Sequence, residues 1–167
     1  MEEYVRITRE NCGEALVIYN YYVENSTATY GTIPLSEEEF FTYYQMDNPL
    51  TEAFLVKDEG KTIGFVLLKP WNAKKEAYRY TYEVTMYFDK EYPRKGYGKK
   101  AYFFLEDIAK RRNLKVLIGG ICGENIGSMK LCESVGFEKA GHLKNVGVKF
   151  DKFLDIIYYE KIIGLTD

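Results

Sequence analysis

The sequence predicts one mixed α/β domain, with helices flanking a sheet in the order β-α-α-β-β-β-α-β-α-β-β. Three observations predict it. The chain has 167 residues, 46% of them apolar and 29% charged, enough for one core and a solvated surface. Segments with strand-like character interleave with segments of helical periodicity. No internal repeat, low-complexity tract or Pro/Gly/Ser linker divides the chain, so residues 1–167 are read as a single domain. At this length folding buries roughly 70% of the unfolded surface, and neither a disulfide nor a metal is needed to hold the fold.

The elements follow in order. Residues 3–8 read as a short strand. Asn11 with Glu14 resembles a capping box, and apolar residues at 15, 18, 19, 22 and 23 mark one face of the helix behind it. A polar stretch from Glu24 to Thr32 ends that helix. Ser36 and Glu39 give a second capping signal, and Glu37, Glu38 and Glu39 suit the positive end of a helix carrying Phe40, Tyr43 and Tyr44. Ala53–Lys57 and Thr62–Leu68 form a hairpin about Asp58-Glu59-Gly60-Lys61. A loop through Pro70-Trp71-Asn72 leads to a long strand, Tyr78–Phe88. Apolar residues at 101, 104, 105, 108 and 109 then mark a helix, closed by Lys110, Arg111 and Arg112 at its negative end. Lys115–Ile121 is a buried-type strand, 125–135 a short helix stopped by Gly136, and two strands run near 137–141 and 151–162.

Charge and cysteine usage exclude several function classes. The net charge is −2 and the pI about 5.6, against the basic face of a dedicated nucleic-acid binder. Cys12, Cys122 and Cys132 cannot all pair, and His142 is the lone histidine, so no metal site is expected. The opening Met1-Glu2-Glu3 has the wrong charge for a signal peptide, and no stretch of membrane-spanning length is free of charge. A reduced, cytoplasmic protein is expected. Tyrosine is abundant, at 16 residues beside 10 Phe. Either an aromatic-lined ligand site or compositional bias in the strands accounts for it.

The strongest local signal is Arg94-Lys95-Gly96-Tyr97-Gly98-Lys99, directly after a strand and opening a helix. Glycines admit close backbone approach, the first helical turn leaves N–H groups without partners, and its dipole favours an anion. A pyrophosphate fits such a site; a plain turn before a helix has the same pattern. Neither Walker A nor the full dinucleotide fingerprint is present. In the preceding strand, alternation puts Tyr82, Val84, Met86 and Phe88 on one face and Thr81, Glu83, Thr85 and Tyr87 on the other. Glu83 is either a solvated strand acid or, because its strand feeds the anion loop, a functional one. Asn125 reads as an N-cap or a ligand contact, and Cys132 as a small core residue or a site residue.

Together, these elements over residues 80–140 resemble the GNAT superfamily of acyl-CoA-dependent N-acetyltransferases. Further segments extend the resemblance along nearly the whole chain, to the phosphinothricin and methionine sulfone N-acetyltransferase branch. They are Ile18-Tyr19-Asn20, Ser26-Thr27-Ala28-Thr29-Tyr30, Pro70-Trp71, Tyr78-Arg79-Tyr80-Thr81-Tyr82-Glu83, and Val146-Gly147-Val148-Lys149-Phe150 with Leu154-Asp155. Two positions depart from the pattern. Pro93 stands where the family has Gln or Arg, and Cys132 where this branch has His and the wider superfamily often Tyr.

The resemblance implies a GNAT-like mixed, mostly antiparallel sheet flanked by helices and splayed between the strand ending at Phe88 and the strand at Lys115–Ile121. It implies acetyl-CoA as co-substrate and no metal. Backbone at Met86, Tyr87 and Phe88 would meet the pantetheine, N–H groups of Arg94, Lys95, Gly96, Tyr97, Gly98 and Lys99 the pyrophosphate, and Asn125 the pantetheine arm. Glu83 would be the general base and backbone N–H near Met86 the oxyanion donor. Cys132 sits at the spacing where the superfamily places the residue facing the CoA sulfur; it either donates a proton there or packs with Ser128, Leu131 and Val135. Arg79 would hold the carboxylate of a small amino-acid-like amine, with Tyr30, Trp71 and Tyr80 shaping the pocket. No nucleic acid or membrane partner is implied, and family members are commonly homodimers. A protein or peptide N-acetyltransferase, a non-catalytic acyl-CoA sensor and a sugar- or nucleotide-phosphate kinase are the other readings; the kinase lacks a Walker motif.

Overall fold

A computed structural model of the chain describes residues 1–92 and 96–165. Its elements run β1 Glu2–Arg6, α1 Cys12–Asn25, α2 Glu37–Tyr43, β2 Glu52–Asp58, β3 Lys61–Pro70, β4 Thr81–Phe88, α3 Tyr97–Arg111, β5 Val116–Cys122, α4 Ile126–Ser134, β6 Glu138–Lys149 and β7 Lys152–Ile162. The strands form a seven-stranded sheet in the order β1-β2-β3-β4-β5-β7-β6. Every neighbouring pair is antiparallel except β4–β5. The predicted element order and the mixed, mostly antiparallel sheet are therefore observed.

The core lies on both faces of the sheet, and β3 shows why its sequence is a continuous apolar run. Phe65 and Leu67 join α1 and α2 on one side, while Val66 and Leu68 join α3 on the other, and all four are fully buried. The alternation read in β4 also holds. Tyr82, Val84, Met86 and Phe88 pack toward the α3 side, and Tyr87 toward the α1–α2 side.

Local signals fare unevenly. The Ser36 hydroxyl accepts from Glu39 N–H while the Glu39 carboxylate accepts from Ser36 N–H, a complete capping box. Asn11 makes no such cap: its side chain accepts from Thr8 N–H and donates to the Arg6 carbonyl, and Glu14 instead bonds Lys57 and Thr62. Residues 76–78 form a single 3₁₀ turn, so β4 begins at Thr81 rather than Tyr78. β6 runs on to Lys149, well past the expected end near 141, through two register shifts against β7.

Candidate active site

The site is built by a divergence between two parallel strands. β4 and β5 pair only over Thr81, Tyr82 and Glu83, opposite Val116, Leu117 and Ile118. Beyond Glu83 the strands separate. Residues 84–88 of β4 and 119–122 of β5 then become opposite walls of a cleft of about 870 Å³. That volume lies within the range of small-molecule and cofactor sites. β4 stays paired to β3 as far as Phe88, so its other backbone edge faces the gap.

Glu83 stands at the apex, on the last paired step. Its carboxylate accepts a 3.1 Å hydrogen bond from Lys69 Nζ, and Lys69 is its direct cross-strand partner on β3. The Lys69 side chain is 13% exposed and that of Glu83 32%. Tyr22, Tyr30, Tyr43, Tyr44 and Tyr87 line the same cleft. Burial pushes the Tyr87 phenol up to about 12 and also raises Tyr43 and Tyr44, so these hydroxyls stay neutral near pH 7. Tyr22 Oη donates to the Phe88 carbonyl at 2.5 Å, and Tyr30 Oη donates to the Asp155 carbonyl.

The far wall comes from β5 and α4. Asn125 caps α4 by accepting from Ser128 N–H at 3.1 Å, which fixes its amide at the cleft edge. Cys132 lies on the wall, its sulfur on the Gly119 side, and burial pushes its thiol up to about 11. One end of the cleft meets the start of α3. Gly96 there has φ +79°, a left-handed conformation that side chains disfavour. At Gly98 an added Cβ would lie 2.9 Å from Leu131 Cδ2 and 3.9 Å from Phe88, both cleft residues, so glycine allows α3 to close on the cleft.

The first turn of this 15-residue helix leaves the N–H groups of Tyr97, Gly98 and Lys99 without helical partners; Gly98 abuts the cleft residues Leu131 and Phe88, while Gly96, Tyr97, Gly98 and Lys99 do not themselves line the cleft. The Tyr97 ring serves elsewhere: its hydroxyl donates to Asp58 at 2.6 Å, which pushes the phenol up to about 12. Pro93, Arg94 and Lys95 lie outside the described residues. An open slot between diverging backbones, with a helix N-terminus at one end, fits an acyl-pantetheine chain that ends in a pyrophosphate.

Residues 16–137 match the Acetyltransferase (GNAT) family model. The chain belongs to the GNAT acetyltransferase family. This acetyltransferase is 28% identical over 153 residues to an L-methionine sulfoximine/L-methionine sulfone acetyltransferase of Salmonella typhimurium, covering 91% of this chain and 89% of that one. It is 29% identical to a phosphinothricin N-acetyltransferase of Streptomyces coelicolor, covering 86% of each. Its fold superposes with a TM-score of 0.90 on a GNAT superfamily phosphinothricin acetyltransferase from Sinorhizobium meliloti in complex with acetyl-CoA. That match is 25% identical and covers 98% of this chain and 89% of the other. The expected enzyme class and the expected co-substrate, acetyl-CoA, are those of this family.

The acetyltransferase brings Glu83, Met86, Tyr87, Phe88, Asn125, Cys132 and Tyr30 to one cleft, as the sequence reading grouped them. It does not bring Trp71, Arg79 and Tyr80 to that wall. Arg79 follows the 3₁₀ turn, donates to the Glu76 carbonyl at 3.4 Å, and lies over the Tyr80 ring at 4.8 Å. Trp71 packs on Tyr78 and lines a separate pocket of about 150 Å³ with Ile118 and Tyr158. Sequence reasoning missed Lys69. Its only signal was register, since a lysine before Pro70 otherwise reads as a solvated strand end.

Proposed function

We propose that this enzyme transfers acetyl to the primary amine of a small amino-acid-like acceptor of the phosphinothricin, methionine sulfone or methionine sulfoximine type, with Glu83 as general base. The observation that carries the proposal is Glu83 at the apex of the β4–β5 splay, on the wall of the cleft that opens there. The named activities of the relatives supply the acceptor class.

Acetyl-CoA supplies an acyl group activated as a thioester. The chain's residues do the rest. The acceptor arrives mostly as an ammonium near pH 7, so Glu83 takes a proton, directly or through water, and frees the nitrogen lone pair. Backbone N–H near Met86, on the edge that β5 leaves open, donates to the acyl oxygen as it gains charge. The α3 N-terminus, with residues 94–99, holds the pyrophosphate, and the Asn125 amide meets the pantetheine arm. Tyr30 shapes the acceptor end. Cys132 packs the wall, because a thiol at about 11 gives up its proton less readily than an ordinary thiol near 8.5.

The proposal treats residues 1–167 as one catalytic domain in a homodimer. The dimer reading is supported by exposed Leu143, Val146, Val148, Phe150 and Phe153 on the β6–β7 hairpin at the sheet edge, an apolar patch suited to a second copy. A cytoplasmic location is supported by three free cysteines and by the lack, among the described residues, of a helix long and apolar enough to cross a membrane.

The experiment is an amine panel with acetyl-CoA, followed by free thiol release, that includes the three named acceptors. Saturable release with at least one of them is the expected result. Tight acetyl-CoA binding with no release across the panel would instead make the protein an acyl-CoA sensor.

A further inference from the structure

We infer that Lys69, not Arg79, receives the anionic end of the acceptor, so that the cleft selects zwitterionic α-amino acids over amines that lack a neighbouring carboxylate. The inference rests on the acetyl-transfer reading above and specifies the acceptor for that same site. It starts from charge. Among the described residues, the charged side chains on the cleft wall are Lys69, Glu83 and Glu124. Lys69 is the one cation.

Glu124 is engaged by Thr27 Oγ1 at 2.9 Å and by Lys152 Nζ at 3.3 Å, at the edge of the cleft formed by the 26–30 loop. Arg79 points its guanidinium at the Glu76 carbonyl and its neighbour's ring, off the wall. Among the described residues, Lys69 is therefore the cation that an acceptor carboxylate beside Glu83 meets.

Lys69 has capacity for it. An ammonium carries three N–H donors, and among the described residues Lys69 uses one, toward Glu83. Its other donors are on a residue of the cleft wall, where an entering acceptor can take them. An incoming carboxylate is that acceptor.

Geometry makes the match specific. Lys69 Nζ and Glu83 Oε2 lie 3.1 Å apart on rigid, directly opposed strand positions. An α-amino acid carries its ammonium and carboxylate on one carbon, an equally close pair of opposite charges. Laid against the wall in reverse order, its ammonium meets Glu83 and its carboxylate meets Lys69. The nitrogen to be acetylated is then delivered to the base by the same contact that recognises the acid. Tyr43 lines the same cleft and lies close enough for the Glu83 charge to help raise its phenol.

The test compares kcat/KM for L-methionine sulfone and for its neutral primary amide, in the wild type and in Lys69→Met, Lys69→Gln and Lys69→Arg. The acid-over-amide ratio separates recognition of the carboxylate from any general effect on Glu83, which both acceptors share. The wild type should favour the acid by at least about tenfold. Lys69→Met and Lys69→Gln should bring the ratio near one, chiefly by raising KM for the acid, and Lys69→Arg should keep most of the preference. A rise in melting temperature with acetyl-CoA verifies that each variant is folded.

A preference that survives in both neutral variants overturns the inference, as does an equal loss on acid and amide, which would make Lys69 only a positioning residue for Glu83. Collapse of the preference in Arg79→Met with Lys69→Met unaffected would return the role to Arg79. Failure of the wild type to acetylate any amine would overturn the acetyl-transfer reading itself, a result none of the other outcomes produces.

Discussion

Lys69 and Glu83 face each other across the β3–β4 pair, with Nζ 3.1 Å from the carboxylate, at the step where β4 parts from β5. Both side chains rise from strands of a seven-stranded sheet, so neither depends on a loop for its position. The pair stands on the cleft wall where β4 loses its pairing with β5. Tyr43, Tyr44 and Tyr87 line the same cleft, and burial raises their phenols, so they bring no competing charge near pH 7.

The cofactor end makes the first prediction. Acetyl-CoA binds the folded state and should raise the melting temperature by linkage. Gly96→Val forces a β-branched residue into φ +79°, with open space around the new Cβ, so the chain should fold while the loop geometry shifts. The acetyl-CoA-induced rise should then vanish. At Gly98 the new Cβ meets Leu131 at 2.9 Å, so Gly98→Val should lose the rise and also some basal stability. An undiminished rise in both variants would put the pyrophosphate elsewhere.

Cys132 makes the second. With its thiol held up to about 11, its alkylation by iodoacetamide should be slow at pH 7–8 and accelerate as pH climbs toward that value. Cys132→Ala and Cys132→Ser should turn over within a few-fold of wild type. A loss of about tenfold or more in kcat for Ala, near 1.4 kcal/mol of barrier, would assign the thiol a proton-donating role.

The third concerns stability behind the α4 wall. Burial raises the Glu106 pKa, but hydrogen bonds from Lys110, Lys161 and Tyr102 outweigh it and leave the group below its ordinary value. A depressed carboxylate stabilises the fold fully above its unfolded value of about 4.3, and the contribution is lost as pH falls through the lower folded value. Glu106→Gln should cost about 1–3 kcal/mol at pH 7 and flatten the acid limb of the melting temperature below about pH 4. Thermal unfolding from pH 3 to 7 measures both. Identical acid limbs would locate the acid sensitivity in other carboxylates.

These features differ in how far the sequence alone discloses them. The Ser36–Glu39 box, the Asn125 cap and Gly96 at the start of α3 are local devices, legible because each depends on residues close by in the chain. The β4 alternation that turns Glu83 away from the core is legible for the same reason. Lys69 is not, because only the β3–β4 register sets it against a residue 14 positions later. Asn11 and Glu14 imitate a cap, yet Asn11 turns back to Thr8 and Arg6, and Glu14 is taken by the distant Lys57 and Thr62. The length of β6 is hidden by two register shifts that break its alternation. At its end, buried Lys149 donates to the Ser26 and Thr29 carbonyls and fixes the loop that forms one cleft wall. The off-wall placement of Arg79 follows from a 3₁₀ turn where strand continuation was expected.

The most direct measurement is the pH dependence of kcat for Glu83→Gln against wild type, with methionine sulfone as acceptor. The variant keeps the shape of the side chain and accepts no proton. Its kcat should fall by about 10²–10⁴ at pH 7, while acetyl-CoA still raises the melting temperature. The deficit should narrow as pH rises and more acceptor amine is already neutral. A variant that retains nearly the full rate at pH 7, or a deficit constant across the pH range, would contradict Glu83 as the base.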